Sequence, residues 1–90
     1  MADINLEWDA PTDGGSPVEY NIYRIAGTQL NEALIKSSGT QIATVTHNSN
    51  SAKQTHEDTG LTLGATFSYT VGAENSAGEG LLSEPATATA

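Results

Sequence analysis

The sequence predicts an all-β protein built as an antiparallel β-sandwich. Three stretches alternate apolar with polar side chains, as strands with one buried face do: residues 4–10, 18–25 and 67–74. Glycine-rich and polar turns separate the short strands, and no helical stretch of any length interrupts them. Such strands bury their apolar faces by packing as two sheets around one core.

Length and charge limit the class of protein. The chain has 90 residues, which we interpret as a single domain over residues 1–90. It carries 11 acidic and 3 basic residues, for a net charge of -8. Nucleic acid and anionic membranes require clustered lysine and arginine, so the charge argues against both as partners. The chain has no cysteine for a disulfide, and its first residues do not resemble a signal peptide, so we expect a soluble protein.

The alternation also assigns the core. A side chain is placed inside when it continues the pattern that Trp8 begins in the first strand. The second strand then turns Tyr23 and Ile25 to the outside. The predicted core residues are Leu6, Trp8, Tyr20, Ile22, Leu61, Phe67, Tyr69 and Val71.

Other segments are less regular. We expect residues 26–39 to form an irregular insertion, within which residues 30–35 fit either one helical turn or a short edge strand. Residues 75–80 are small, polar and rich in glycine, which indicates an exposed loop that closes a hairpin. Pro85 interrupts the last strand, and we expect the tail, residues 86–90, to fray.

Five groups of short motifs follow one another along most of the chain. They are LEWDAP (6–11), VEYNIYR (18–24), ATV and DTGL (43–45 and 58–61), FSYTVGAENSAGEG (67–80) and SEPATAT (83–89). In this order and spacing they resemble a fibronectin type III domain, although no single piece is specific to that family. The resemblance covers nearly everything outside residues 26–39 and implies an immunoglobulin-like sandwich.

Two departures from the family matter. Phe67 stands where the family carries a tyrosine, at the corner between its strands E and F. Phenylalanine keeps the aromatic ring there but lacks the hydroxyl that donates a hydrogen bond to the backbone. The family's strand A normally precedes the tryptophan strand, strand B, but only seven residues precede Trp8. The smaller sheet would then contain only strands B and E, with an open edge. Either strand A was trimmed, or a partner or neighbouring copy supplies a strand. The predicted open edge is Ile4, Asn5, Leu6 and Glu7.

A second surface is predicted on the outward face of the sheet formed by the family's strands C, F and G. Tyrosine offers a large contact area at low entropy cost, although single exposed apolar residues are also common and need no function. The predicted contact residues are Tyr23, Ile25, Thr70, Gly78 and Glu79. On strand B, the acids Asp3, Glu7 and Asp9 either attract a cationic partner or discourage aggregation at the edge.

No constellation of residues indicates catalysis. His47 and His56 lack a nucleophile or a set of metal ligands at suitable spacing, so we predict no enzyme and no catalytic, cofactor or metal site. The loop at residues 75–80 also lacks Arg-Gly-Asp, so the integrin-binding mode known in the family is unsupported.

We therefore predict a non-enzymatic adhesion or assembly module that contacts a protein or a glycan. Its concrete version is a decoration or attachment subunit of a larger particle, such as a phage virion. The alternative is a spacer domain from a secreted, multidomain carbohydrate-active enzyme. For location, the virion surface or an extracellular module is favoured.

Overall fold

The computed structural model describes residues 2–9, 17–49, 51 and 53–90. Within them the chain forms seven strands and one helix. The polar, glycine-containing stretch TDGGSP (12–17), which the sequence predicts to be a turn, lies mostly outside the described residues. The elements are β1 (Ala2–Asp9), β2 (Glu19–Ala26), α1 (Glu32–Ser38), β3 (Thr40–Thr46), β4 (Lys53–Leu61), β5 (Thr66–Asn75), β6 (Gly78–Leu82) and β7 (Ala86–Thr89).

Two antiparallel sheets form the sandwich. β1 and β4 make a two-stranded sheet, while the larger sheet has the order β3-β2-β5, with β6 and β7 both pairing with β5. The prediction of an antiparallel β-sandwich is confirmed. In the part of the chain that the structure describes, the smaller sheet contains only the two strands that correspond to B and E of the family.

The core lies between the two sheets. Alternation on β5 sends Tyr69 and Val71 inward, where they meet Tyr20 and Ile22 of β2. The Trp8 and Tyr20 rings form an edge-to-face pair with centroids 5.3 Å apart, an arrangement that aromatic rings favour. The buried cluster is Ile4, Tyr20, Ile22, Leu61, Tyr69 and Val71, and Leu6, Trp8 and Phe67 are partly buried against it.

Part of the insertion that we expected to be irregular is a helix, α1. The Asn31 side chain caps it by accepting hydrogen bonds from the N–H groups of Ala33 and Leu34. At its other end, a Cβ on Gly39 would overlap the Arg24 carbonyl on β2. Glycine therefore lets the helix end against the sheet. Seven residues are too few for helical periodicity to stand out in the sequence.

The hairpin after β5 is tighter than predicted. β5 runs to Asn75 and β6 begins at Gly78, so only two residues join them, and most of the predicted loop at residues 75–80 is strand. The Asn75 side chain accepts a hydrogen bond of 2.8 Å from the Ala77 N–H. Gly78 has φ +115°, a conformation that glycine adopts without strain. Glu79 consequently belongs to a strand, with a fixed side-chain direction.

The end of the chain is paired with the larger sheet. The predicted interruption at Pro85 is confirmed, because it separates β6 from β7. We expected residues 86–90 to fray, but β7 pairs with β5 from Thr66↔Thr89 to Tyr69↔Ala86. The Ala90 N–H donates to the Ala65 carbonyl at 2.8 Å. The tail is held by a strand that lies far from it in the sequence, which local composition does not reveal.

Candidate functional site

The edge of β1 is the first candidate interaction site. β1 pairs with β4 from Ala2↔Leu61 to Asp9↔Lys53, and no described residue pairs with it on its other side. In an antiparallel pair, alternate residues direct their N–H and C=O groups away from the partner strand. The predicted open-edge residues, Ile4 to Glu7, all lie within this strand. The edge therefore offers backbone groups that another strand can pair with.

The core side of this edge is incompletely covered. Ile4 is buried, but Leu6 and Trp8 are only half-buried, although they pack against the core. The inward residues Gln54 and Asp58 on β4 are, in contrast, buried. The Trp8 indole N–H is also buried, and it has no acceptor among the described residues. Apolar core surface is thus exposed beside β1 rather than beside β4.

The solvent side of β1 is acidic. Asp3, Glu7 and Asp9 are all exposed. On the neighbouring strand, the Lys53 Nζ lies 2.9 Å from Asp9 Oδ1 and 3.8 Å from Glu7 Oε1. The hydrogen bond with Asp9 is the main cause that raises the pKa of Lys53. Exposed pairs of this kind contribute little to stability, so the acids are not explained by the fold.

The second predicted surface, on the outward face of the larger sheet, is covered. The expectation that Tyr23 is open to a partner is wrong, since it is 6% exposed, and Thr70 is fully buried. α1 lies over this face, contacts β2 and β5, and buries Ile35. The insertion that the sequence did not resolve therefore closes the surface. A contact role for half-buried Ile25 and exposed Gly78 stays a prediction.

Glu79 closes the same face from the side of β6. Its Oε2 accepts hydrogen bonds from the Tyr23 hydroxyl at 2.7 Å and the Asn21 Nδ2 at 2.8 Å, and its Oε1 pairs with the Lys36 Nζ of α1. The side chain crosses Gly72, where a Cβ would lie 2.5 Å from Glu79 Cδ. Tyr23 and Glu79, both predicted to contact a partner, bind each other instead.

The environment of Glu79 determines its charge. Burial acts to raise the pKa of this carboxyl, but the hydrogen bonds from Lys36, Tyr23 and Asn21 outweigh burial and lower the pKa below its usual value. Burial, followed by the hydrogen bond to Glu79, raises the pKa of Tyr23 to about 12. The carboxylate and the neutral phenol are thus the stable forms at neutral pH.

Asn21 extends this cluster across the sheet. Its Oδ1 accepts from Gln41 Nε2 at 3.1 Å and from Thr44 Oγ1 at 3.3 Å, both on β3. Its Nδ2 donates to Glu79 on β6 and, at 3.4 Å, to Glu74 on β5. The amide therefore uses two donors and two acceptor positions, its full capacity. The network links β3, β2, β5 and β6 and stiffens this face.

Acid is expected to weaken this cluster. Because the pKa of folded Glu79 is lower than in the unfolded chain, its contribution to stability is present above pH ~4.5 and is lost as the pH falls through the folded pKa. Urea unfolding of the native protein and of Glu79→Gln should show a free-energy difference that is largest near pH 7 and shrinks below pH ~4. An equal difference at both pH values would contradict the assignment.

A further buried cluster joins the two sheets. Asp58 on β4 accepts from the Arg24 Nη1 on β2 at 2.9 Å and 3.1 Å and from the Tyr69 hydroxyl on β5 at 2.6 Å. Burial, followed by the bond to Asp58, raises the pKa of Tyr69. The Arg24 guanidinium also lies 4.7 Å from the centre of the Phe67 ring. Sequence reasoning did not find this cluster. The signal that could have found it is the position of Arg24, which lies in the alternation of its strand on the same inward face as Tyr20 and Ile22.

The topology and the comparison with protein families agree. The family model described as fibronectin type III domain matches residues 2–89. This chain belongs to the fibronectin type III family. No curated protein matches it. Domains of this family are general protein-interaction and spacer modules and are typically not catalytic. The family corner position holds Phe67, whose ring is half-buried under Arg24.

The described part of this fibronectin type III domain contains neither a cluster of metal ligands nor a membrane-spanning helix. Its described residues bring together no group of three or more histidine, cysteine, aspartate or glutamate side chains suited to a metal ion. Nor does their one helix have the length and apolar character needed to cross a membrane.

Proposed function

We propose that this fibronectin type III domain is a non-enzymatic assembly module that binds another protein chain by adding a strand to β1. The observation that supports this function is the edge itself: no described residue pairs with the backbone of β1 on the side away from β4, and Leu6 and Trp8 beside it are half-exposed. An added strand extends a two-stranded sheet that is marginal alone and removes apolar surface from water. A peptide backbone fits the edge better than a glycan does, because its N–H and C=O groups repeat at strand spacing.

A decoration or attachment subunit of a larger particle, such as a phage virion, is the form of this function that we favour. Strand addition is a known way to join chains, since main-chain hydrogen bonds provide affinity and alternate side chains provide specificity. A spacer in a carbohydrate-active enzyme requires no open edge, so the geometry of β1 supports the assembly function more directly.

Hydrogen exchange tests strand addition. In the isolated chain, we expect alternate amides of β1 to exchange fast, while amides in the middle of β5 are protected. Adding a peptide of the length of β1, in which valine alternates with threonine, should slow the β1 amides and leave β5 unchanged. The matched control is the same peptide with every amide N-methylated, so that its backbone cannot donate hydrogen bonds. Protection in the isolated monomer of the β1 amides that point away from β4, or equal effects of both peptides, would overturn the proposal.

A further inference from the structure

We infer that the strand added to β1 comes from a different protein and carries lysine or arginine at alternate, outward-facing positions. This inference rests on the proposed function and names the chemistry of the partner. It follows from two observations: β1 exposes acidic side chains, and the lysine and arginine residues of this chain are already in ion pairs.

The outward face of the small sheet selects for positive charge. Asp3, Glu7 and Asp9 are exposed on β1, and Glu57, also exposed, stands opposite Asn5 on β4. A strand beside β1 places its own outward side chains directly opposite these acids. Opposite charges at such cross-strand positions stabilise pairing, while like charges destabilise it. Valine or leucine at the intervening positions would cover the half-exposed core residues on the other face.

A second copy of this chain does not fit. Antiparallel pairing of two β1 strands about their middle sets Asp3 of one copy opposite Glu7 or Asp9 of the other. The chain has only three lysine and arginine residues, and each is already in an ion pair. Arg24 pairs with Asp58, Lys36 with Glu79, and Lys53 with the acids of β1. Another copy therefore has no spare cation to offer, and the net charge of -8 adds repulsion.

Three peptides of the length of β1 test this inference, with valine alternating with lysine, threonine or glutamate. We expect affinity to fall in that order, and a salt concentration of about 1 M to reduce the difference. The double variant Asp3→Asn, Glu7→Gln should weaken the lysine peptide by about two- to five-fold per lost pair and leave the threonine peptide unchanged. For each of these two substitutions, Glu84→Gln is the single-charge control, because it removes one negative charge from an exposed position outside β1.

The outcomes separate this inference from the proposed function. Slowed exchange at β1 with equal affinity for all three peptides would keep strand addition and overturn the cationic partner, leaving the acids only as a guard against aggregation. Dimerisation through β1 at low salt, seen by sedimentation, would overturn the exclusion of a second copy. No slowing at β1 with any of the three peptides would overturn both proposals.

Discussion

Asp58→Ala is expected to lower the free energy of unfolding by about 3 kcal/mol. Its carboxylate holds Arg24 and the Tyr69 hydroxyl between the two sheets. Removing it leaves a cation and a buried hydroxyl without their shared acceptor. The value lies at the low end for a buried pair, because the Arg24 side chain is 27% exposed and keeps part of its hydration. Equilibrium unfolding in urea measures the loss.

Two variants make this experiment specific. Glu57→Ala removes a neighbouring acid that is exposed on the same strand and should change stability by less than about 0.5 kcal/mol. Tyr69→Phe keeps the aromatic ring and removes the hydroxyl, so it should lose about 2 kcal/mol, as for a hydrogen bond to a charged group. If Asp58→Ala unfolds at the same urea concentration as Glu57→Ala, the cluster does not link the sheets.

Ile35→Ala is expected to lower the free energy of unfolding by about 3 kcal/mol. Ile35 is fully buried between α1 and the outward face of the larger sheet. Its loss should loosen the helix and carry Lys36 away from Glu79. A second measurable consequence follows, because the pKa of Glu79 should rise toward its ordinary value when that cation leaves. Urea unfolding and an NMR titration of the carboxyl measure the two effects.

The adjacent residue provides the control. Leu34→Ala makes a chemically similar truncation on the same helix, but Leu34 is 43% exposed. It should change stability by less than about 1 kcal/mol and leave the pKa of Glu79 unaltered. Equal losses for the two variants would show that α1 does not pack by its Ile35 side, and that Tyr23 is covered in some other way.

Local pattern predicted the strands because strand burial has a period of two, which can be read from a few neighbours. Tyr69 and Val71 therefore fell on the correct face, and the interruption at Pro85 followed from its missing N–H. The helix and the hairpin loop were harder to predict from the sequence. Seven helical residues carry too little periodicity, and the two-residue hairpin at residues 76–77 depends on the φ of Gly78 rather than on composition.

The pairing of β1 and the exposure of Tyr23 depend on different information. Family resemblance indicated that the strands corresponding to B and E pair, as β1 and β4 do, while a role for the edge of β1 stays a prediction. Whether Tyr23 is exposed depends on what folds over it. Lys36 and Glu79 are 43 residues apart, yet they pair with each other beside Tyr23. Lys36 lies over the Tyr23 ring, and Glu79 accepts a hydrogen bond from its hydroxyl. Local alternation along the chain cannot predict a contact between residues so far apart in the sequence.

The sequence by itself determined the sandwich, its inward residues, the acidic surface and the pairing of β1 with β4. The tertiary structure decided the rest: the helix that covers the outward face, the clusters around Glu79 and Asp58, and the pairing of the tail. The reason is that alternation can be read from neighbouring residues and net charge from composition. Burial of a polar group becomes favourable only when partners from distant strands supply its hydrogen bonds.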